Sequence, residues 1–322
     1  MFLPAVRRTL LQAIPTMIGI VLLSFFFLHM MPGDAVDALA GISGSASKET
    51  MEAMREAYGL NAPLPVQLLR YFGNVLTLNF GQSIAYSSPV FNLIVERLPS
   101  TLILMLTAFV IALTTGILVG WVMAVFAGRW PDRMLTSISL LFYSAPNFWV
   151  GLMIIVLFSA KLQLLPAGGS ETIGVTLEGW HWLVDRLQHL VLPACSLAAF
   201  FVAIYARLTR ASMLEVLRQD YMRTAAAKGL HPLLLQFRHG LRNALIPVTT
   251  VAGLHLGNML SGAVVVETVF NWPGVGRLTM SSLAARDVNV LLGILLMSSV
   301  IVIVTNLIID WLVMWLDPRI SA

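Results

Sequence analysis

The sequence predicts an all-α protein that crosses a membrane six times, and two observations carry this. Residues of the Ala, Val, Ile, Leu, Met, Phe, Trp, Tyr, Cys set make up 58% of the 322, charged residues only 11%, and the mean hydropathy is +0.83. A domain whose surface faces water carries roughly 25% charged residues. The second observation is a set of six almost uncharged runs, each near the roughly 20 residues that a helix needs to cross the hydrocarbon core. Most of the surface therefore faces lipid. That excludes a soluble enzyme, a disordered regulator and a nucleic-acid module, despite a net charge of +4 and a pI near 9.5. Cys195 is the single cysteine, so neither an internal disulfide nor a cysteine-based metal cluster is available.

The runs are Leu10–Met31, Thr101–Ala127, Met134–Ala160, Leu190–Ala206, Ala244–Val266 and Val288–Ile309. The first follows Arg7 and Arg8 and precedes an Ala38-Leu39-Ala40 stretch that looks like a cleavage site. It is longer than the apolar region of a secretory leader, so it is expected to remain as a span. With the N-terminus inside, the inner segments hold 12 basic residues against four acids, and the outer segments hold eight basic residues against eleven acids. Basic residues favour the cytoplasmic side, which predicts both termini there. The chain then divides into residues 1–31 (N-terminus and first span), an external loop 32–100, and a membrane core 101–322 containing the cytoplasmic loop 207–243.

The loop 32–100 has its own organisation. A Pro32-Gly33-Asp34 turn and a Gly/Ser-rich stretch Gly41–Ser47 precede a helical pattern over Lys48–Tyr58, with Pro63 and Pro65 as breakers. A second amphipathic piece covers Pro89–Leu98. Such an outer cap either meets a partner or shields the helix ends.

The loop 207–243 carries Arg207, Arg210, Arg218, Arg223, Lys228, Arg238 and Arg242. Topology alone accounts for scattered arginines there, but not for a helix. Over 211–228, Leu214, Leu217, Tyr221 and Ala225 recur at helical spacing on one face. Gly229 suits a left-handed cap and Pro232 a stop, while Ala225–Ala227 leaves backbone open to approach. The pattern reads as a docking element.

Asp220-Tyr221-Met222-Arg223-Thr224-Ala225-Ala226-Ala227-Lys228-Gly229, followed by Arg238–Pro247, resembles the cytoplasmic loop of binding-protein-dependent ABC importer permeases, in particular the dipeptide/oligopeptide/nickel branch. The likeness runs through the chain: Met31–Asp34, Asn79–Ser83 with Pro89-Val90, Ala145–Trp149, Val266–Arg277, Arg286-Asp287 and Asp317–Arg319 each resemble a motif of that family's first, B-type permease subunit. One departure stands out. The broad loop pattern begins Glu-Ala-Ala, and counting back from Gly229 places Arg223 and Thr224 at its first two positions; the peptide/nickel branch commonly lacks that Glu.

The resemblance implies a type I ABC importer permease fold in the bacterial inner membrane, working with a sister permease subunit, two cytoplasmic ATPases and a periplasmic or lipid-anchored substrate-binding protein. It assigns coupling to the ATPase to Asp220, Tyr221, Arg223, Thr224, Ala225, Ala227, Lys228 and Gly229. ATP and Mg would sit on the partners, with no cofactor on this chain. The sequence agrees in lacking a Gly-x-x-x-x-Gly-Lys-Ser/Thr phosphate loop. The implied cargo is a dipeptide or oligopeptide, with nickel or another metal chelate as the alternative.

Within the spans, Gly116 and Gly120, and Gly253 and Gly257, are each four apart, and small residues at this spacing let helix backbones approach closely. Thr249 and Ser261 extend the second series, which either packs on a neighbour or lines a pathway. His255 lies near the middle of span five, where an ionisable group points to function by default. It either lies on the translocation pathway with Asn258 and Met259 or is a neutral histidine bonded to a neighbouring helix. His181 and His189, with Trp180 and Trp182, read as an interfacial aromatic belt rather than a metal site, and His29 as interfacial.

Two rival readings, kept as remote alternatives, lack most of the residues they need. An intramembrane protease needs a His-Glu-x-x-His helix, two Asp or a Ser/His pair. The first is absent, Asp310 is the single Asp within a run, and Ser261 lies about 240° around the helix from His255. A channel or secondary transporter would carry coupling acids in mid-membrane, whereas Glu267 and Asp310 are terminal.

Overall fold

A computed structural model describes residues 2–30, 48–57 and 61–316. It is helical throughout, and the described residues contain no strand beyond an isolated bridge between Gln82 and Pro89. In chain order the helices are α1 (Phe2–Met30), α2 (Lys48–Ala57), α3 (Leu64–Leu76), α4 (Val90–Val125), α5 (Trp130–Ser144), α6 (Asn147–Ile154, continued by the π-helical turn Ile155–Lys161), α7 (Gly179–Val216), α8 (Asp220–Ala227), α9 (Pro232–Leu234, continued by the π-helical Leu235–Leu241), α10 (Arg242–Val269), α11 (Val275–Ala284) and α12 (Val288–Leu316). Among the described residues five helices are long and apolar enough to cross a membrane, and α5 with α6 makes a sixth crossing if the bent pair counts as one. The motifs at Met31–Asp34, Gly41–Ser47 and Asp317–Arg319 lie outside the described residues, as does Tyr58.

Four boundaries differ from the sequence reading, each for a local reason. The third run is not one straight helix: it bends by 111° between Ser144 and Asn147. Pro146 excludes the helical conformation at the residue before it, and Ala145 is extended at φ −75°, ψ 136°. The second begins at Val90, so the amphipathic piece Pro89–Leu98 forms the first turns of α4, which runs on through Pro99. The fourth is the core of a 38-residue helix, about 57 Å long and well beyond the bilayer's hydrocarbon thickness. Lastly, the helix expected over 211–228 is two: α7 ends at Val216, Gln219 is extended, and α8 restarts with Asp220 in its first turn, where a carboxylate favours the helix dipole. Pro232 ends nothing by itself but opens α9, the position where its missing N–H costs least.

The chain forms two compact units, one from the residues up to Arg97 with Leu278–Val304, the other from Leu98–Arg277 with the residues after Val304. In the second, α7 is the central element and packs against α5, α6 and α10. Leu104 and Ala108 of α4, Leu197 and Tyr205 of α7, and Met259 and Val266 of α10 share one buried cluster. The α4–α7 approach is set by glycine: a Cβ on Gly116 would lie 2.6 Å from Tyr205 Cβ, and one on Gly120 would collide with the Ala206 carbonyl oxygen. At the far end of α7, Arg210 donates Nε–H and Nη2–H to the two oxygens of Asp132 at 2.7 and 2.8 Å, and Gly128 N–H donates to the same carboxylate at 2.8 Å. The fork pins the start of α5 to α7, and such bidentate charged bonds are among the strongest available to side chains.

In the first unit, Asp287 caps α12 through Val290 N–H at 3.3 Å and receives Ser83 Oγ–H at 2.6 Å and Ala85 N–H at 3.1 Å. The Arg286-Asp287 and Asn79–Ser83 motifs are thus two halves of one tie, with Asn289 Nδ2 donating to Gln82 O alongside it.

Candidate functional site

The segment 220–229 is a two-turn helix standing on a small base. Its buried residue is Met222, 3% exposed, which with Met213 of α7 closes around Gly240. Ala225, three residues on, is half-buried. The inward face is therefore Met222 and Ala225, not the Leu214–Leu217–Tyr221–Ala225 line that the single-helix reading gives, because the break at 217–219 resets the phase. Tyr221 instead lies along the rim, where Asn243 Nδ2 donates to its hydroxyl at 2.9 Å and to the His239 carbonyl at 3.0 Å. Those bonds tie α8 to the start of α10. Gly229 has φ +77° with nothing within 4 Å of where a Cβ would stand, so conformation alone requires glycine there.

The remaining residues face outward. Asp220 and Arg223 form an ion pair at 3.7 Å with side chains 97% and 78% exposed, a geometry worth little to stability. Thr224, Ala226, Ala227 and Lys228 are exposed as well. The basic residues of 207–243 therefore separate into two kinds. Arg210 is committed to Asp132, and the Arg207 guanidinium lies 4.5 Å over the Tyr143 ring; Arg223 and Lys228 point away from the protein.

His255, Asn258 and Met259 do not share an environment. Met259 is fully buried in the core, Asn258 is exposed, and His255 lies between these extremes, its ring 5.8 Å from Tyr205 and 5.6 Å from Phe201. His255 Nδ1 is buried with no hydrogen-bond partner among the described residues, so the bond to a neighbouring helix expected for a structural histidine is not made there. Gly253 is buried and Gly257 half-buried. His189 is also buried, its Nδ1 2.9 Å from the Asp185 carbonyl oxygen, which removes it from an interfacial belt; Trp180 is 71% exposed. Among the described residues no three His, Cys, Asp or Glu side chains converge to hold a metal ion.

Glu267, which the sequence marks only as an acid at the end of a span, organises the other end of α10. Glu267 is fully buried. It accepts from Thr101 Oγ at 2.6 Å and from Arg277 N–H, in the first turn of α11, at 3.0 Å. Thr101 in turn accepts from Val275 N–H at 2.8 Å, and Trp272 Nε1–H donates to Ser100 O at 3.0 Å. A Cβ on Gly274 would fall on the Glu267 carboxylate and one on Gly276 on the Val264 backbone. The Glu267–Arg277 motif is therefore a carboxylate-capped corner. Its signal in the sequence is an acid at the rim of an apolar run with two glycines close behind.

This architecture has counterparts. The profile of the binding-protein-dependent transport system inner membrane component matches residues 116–322, and that of the N-terminal region of such components matches residues 1–105. The chain belongs to this family. It is 42% identical over 317 residues to the oligopeptide transport system permease protein AppB of Bacillus subtilis (strain 168), and 40% identical over 315 residues to the glutathione transport system permease protein GsiC of Escherichia coli (strain K12), in each case across 98% of both chains. Among solved structures, the MetNI methionine ABC transporter in an inward-facing conformation matches 70% of this chain and 96% of its own, with a TM-score of 0.56 at 16% identity. That last likeness is one of fold: a type I ABC importer permease. The protein is a multi-pass permease of the inner membrane, and transport rather than catalysis is its family's business.

Proposed function

We propose that this permease forms half of the pathway of an ATP-driven importer of dipeptides or oligopeptides, with α8 as the element gripped by a cytoplasmic ATPase. The observation that carries the reading is the division of α8 into a held face and an open one. Met222 packs at Gly240 of the π-helical turn and the Tyr221–Asn243 bond ties α8 to the start of α10, while Asp220, Arg223, Thr224, Ala227 and Lys228 make almost no bonds beyond the helix itself. A force applied to the open face passes through those anchors to the turn before α10 and so to that long helix. On this reading both termini and the loop 207–243 are cytoplasmic and the loop 32–100 is external. The complete machine adds a sister permease, two ATPases that bind ATP and Mg, and a binding protein that delivers cargo. ATP shifts the inward–outward equilibrium by the difference in its affinity for the two states.

Peptide cargo is supported by the 42% and 40% identity to permeases of oligopeptide and glutathione systems. A metal chelate such as a nickel complex is the second reading. The half-buried ring of His255 speaks for it, imidazole being a common metal ligand. Of the pathway residues, His255 and Asn258 fit a lining position, whereas Met259 serves packing. The test is uptake and ATPase activity of the reconstituted transporter carrying Gly229→Pro or Arg223→Glu. Impaired assembly, or ATP hydrolysis without uptake, is expected; normal uptake with normal stimulation of hydrolysis overturns the docking reading. Identification of the molecule held by the purified binding protein decides between peptide and chelate.

A further inference from the structure

The helix α3 belongs to the segment that the sequence leaves as an outer cap, yet its register on α1 is that of a membrane element. His29 Nε2 and Gln67 Oε1 are 3.0 Å apart, the Phe25 and Tyr71 rings are 5.9 Å apart, and Phe72, Val75 and Leu76 line one groove with Met17, Ile18 and Val21. Each step of four residues along α3 is a step of four residues back along α1. The helix therefore runs down the side of the first span rather than across its end. From Met30 back to Val21 is about 14 Å at 1.5 Å per residue, close to half of a hydrocarbon core about 30 Å thick.

The end of α3 leaves few of its carbonyls for water to bond. Asn79 N–H donates to Asn74 O at 2.8 Å, Leu78 N–H to Val75 O at 3.1 Å, and Thr77 N–H and Oγ–H to Gly73 O at 3.1 Å each. These bonds close the last carbonyls internally, as hydrocarbon demands of any chain that enters it. The residue at the left-handed position is Leu78, φ 57°, where water-facing helix ends take Gly or Asn. Leu78 is 47% exposed and Leu76 82% exposed, so the tip presents two leucines outward, beside Thr77 and Asn79, whose side-chain oxygens bond back to nearby backbone. Arg70 and Asn74 lie along one edge of α3, and helical side chains lean toward the N-terminus, which here is back toward the surface. An arginine one to two turns deep reaches the interface by snorkelling.

The groove between α1, α3 and α12 encloses about 360 Å³ and is lined by apolar side chains only. Water needs polar partners that this lining does not offer.

We propose that residues 64–80 form a re-entrant element, inserted beside the first span into the leaflet nearer His29, with lipid acyl chains filling the groove and covering Leu76 and Leu78. The insertion rests on the chain's being a membrane permease and not on the direction of transport; only the naming of that leaflet as the outer one rests on the orientation proposed above.

The test uses the assembled transporter in liposomes, with Cys195→Ser and the partners' cysteines removed, and a nitroxide attached at Leu76→Cys or Leu78→Cys. Both sites are exposed, so labelling leaves the fold intact. Leu23→Cys, on the 59% exposed face of α1, is the lipid reference and Asn61→Cys the aqueous one. The expected result is oxygen accessibility at 76 and 78 matching that at 23, with a water-soluble nickel chelate excluded as it is there. Chelate accessibility equal to that at 61 overturns the proposal in favour of a water-exposed cap. Low accessibility to both reagents also overturns it, showing that protein rather than lipid covers the tip. Failure of the uptake tests leaves these accessibilities unaffected.

Discussion

Glu267, two residues from the C-terminal end of α10, is wholly buried and bonded to α4 and α11, whereas Asp220–Gly229, just ahead of the other end, leaves its charged side chains in the open. The helix α10 is thus closed off internally at its C-terminal end, and near its other end stands a separate short helix with an open face. On the proposed coupling, the fixed corner at Glu267 is the part that holds shape and the exposed α8 the part that is moved.

The comparison breaks first at Glu267. Glu267→Ala strands Thr101 and the first-turn N–H of Arg277 in a buried site, at a cost of about 3 kcal/mol, so the thermal midpoint of the detergent-purified protein falls sharply or the protein is not recovered; an unchanged midpoint contradicts the corner. Next is Gly120→Ala, whose Cβ meets the Ala206 carbonyl and costs about 1–3 kcal/mol through overpacking of α4 on α7, read in the same melt. Arg210→Lys replaces the two-pronged bond to Asp132 by a single point contact and is expected to cost about 1 kcal/mol. At the open segment the effects on stability shrink. Gly229→Ala carries roughly 1 kcal/mol from the left-handed backbone alone, and Gly229→Asn less. Arg223→Glu leaves the melt within about 0.5 kcal/mol, as an exposed site should, while removing coupled uptake.

How much of this was written locally in the sequence follows from the range of the interactions. Six apolar runs are a property of composition over twenty residues, and the left-handed Gly229 is a property of one residue between a helical run and a proline; both are legible. The α4–α7 approach is half legible, since Gly116 and Gly120 announce a close contact but not that Tyr205 and Ala206 receive it. The pairs Asp132–Arg210 and Thr101–Glu267 are 78 and 166 residues apart and leave no periodic trace. The bend at Pro146 and the break before Asp220 are local, yet the apolar run hides the first and the continuous amphipathic pattern hides the second. The placement of α3 along α1 follows only from contacts such as Phe25 with Tyr71.

The most direct test of the handle is a photo-crosslinking residue at Ala226, on the open face of α8, in the intact transporter in native membranes. The account predicts an adduct with a cytoplasmic ATPase subunit, absent when the same residue stands at exposed Trp180. An adduct at Ala226 with lipid, or with no protein at all in an assembly that still transports, would contradict it.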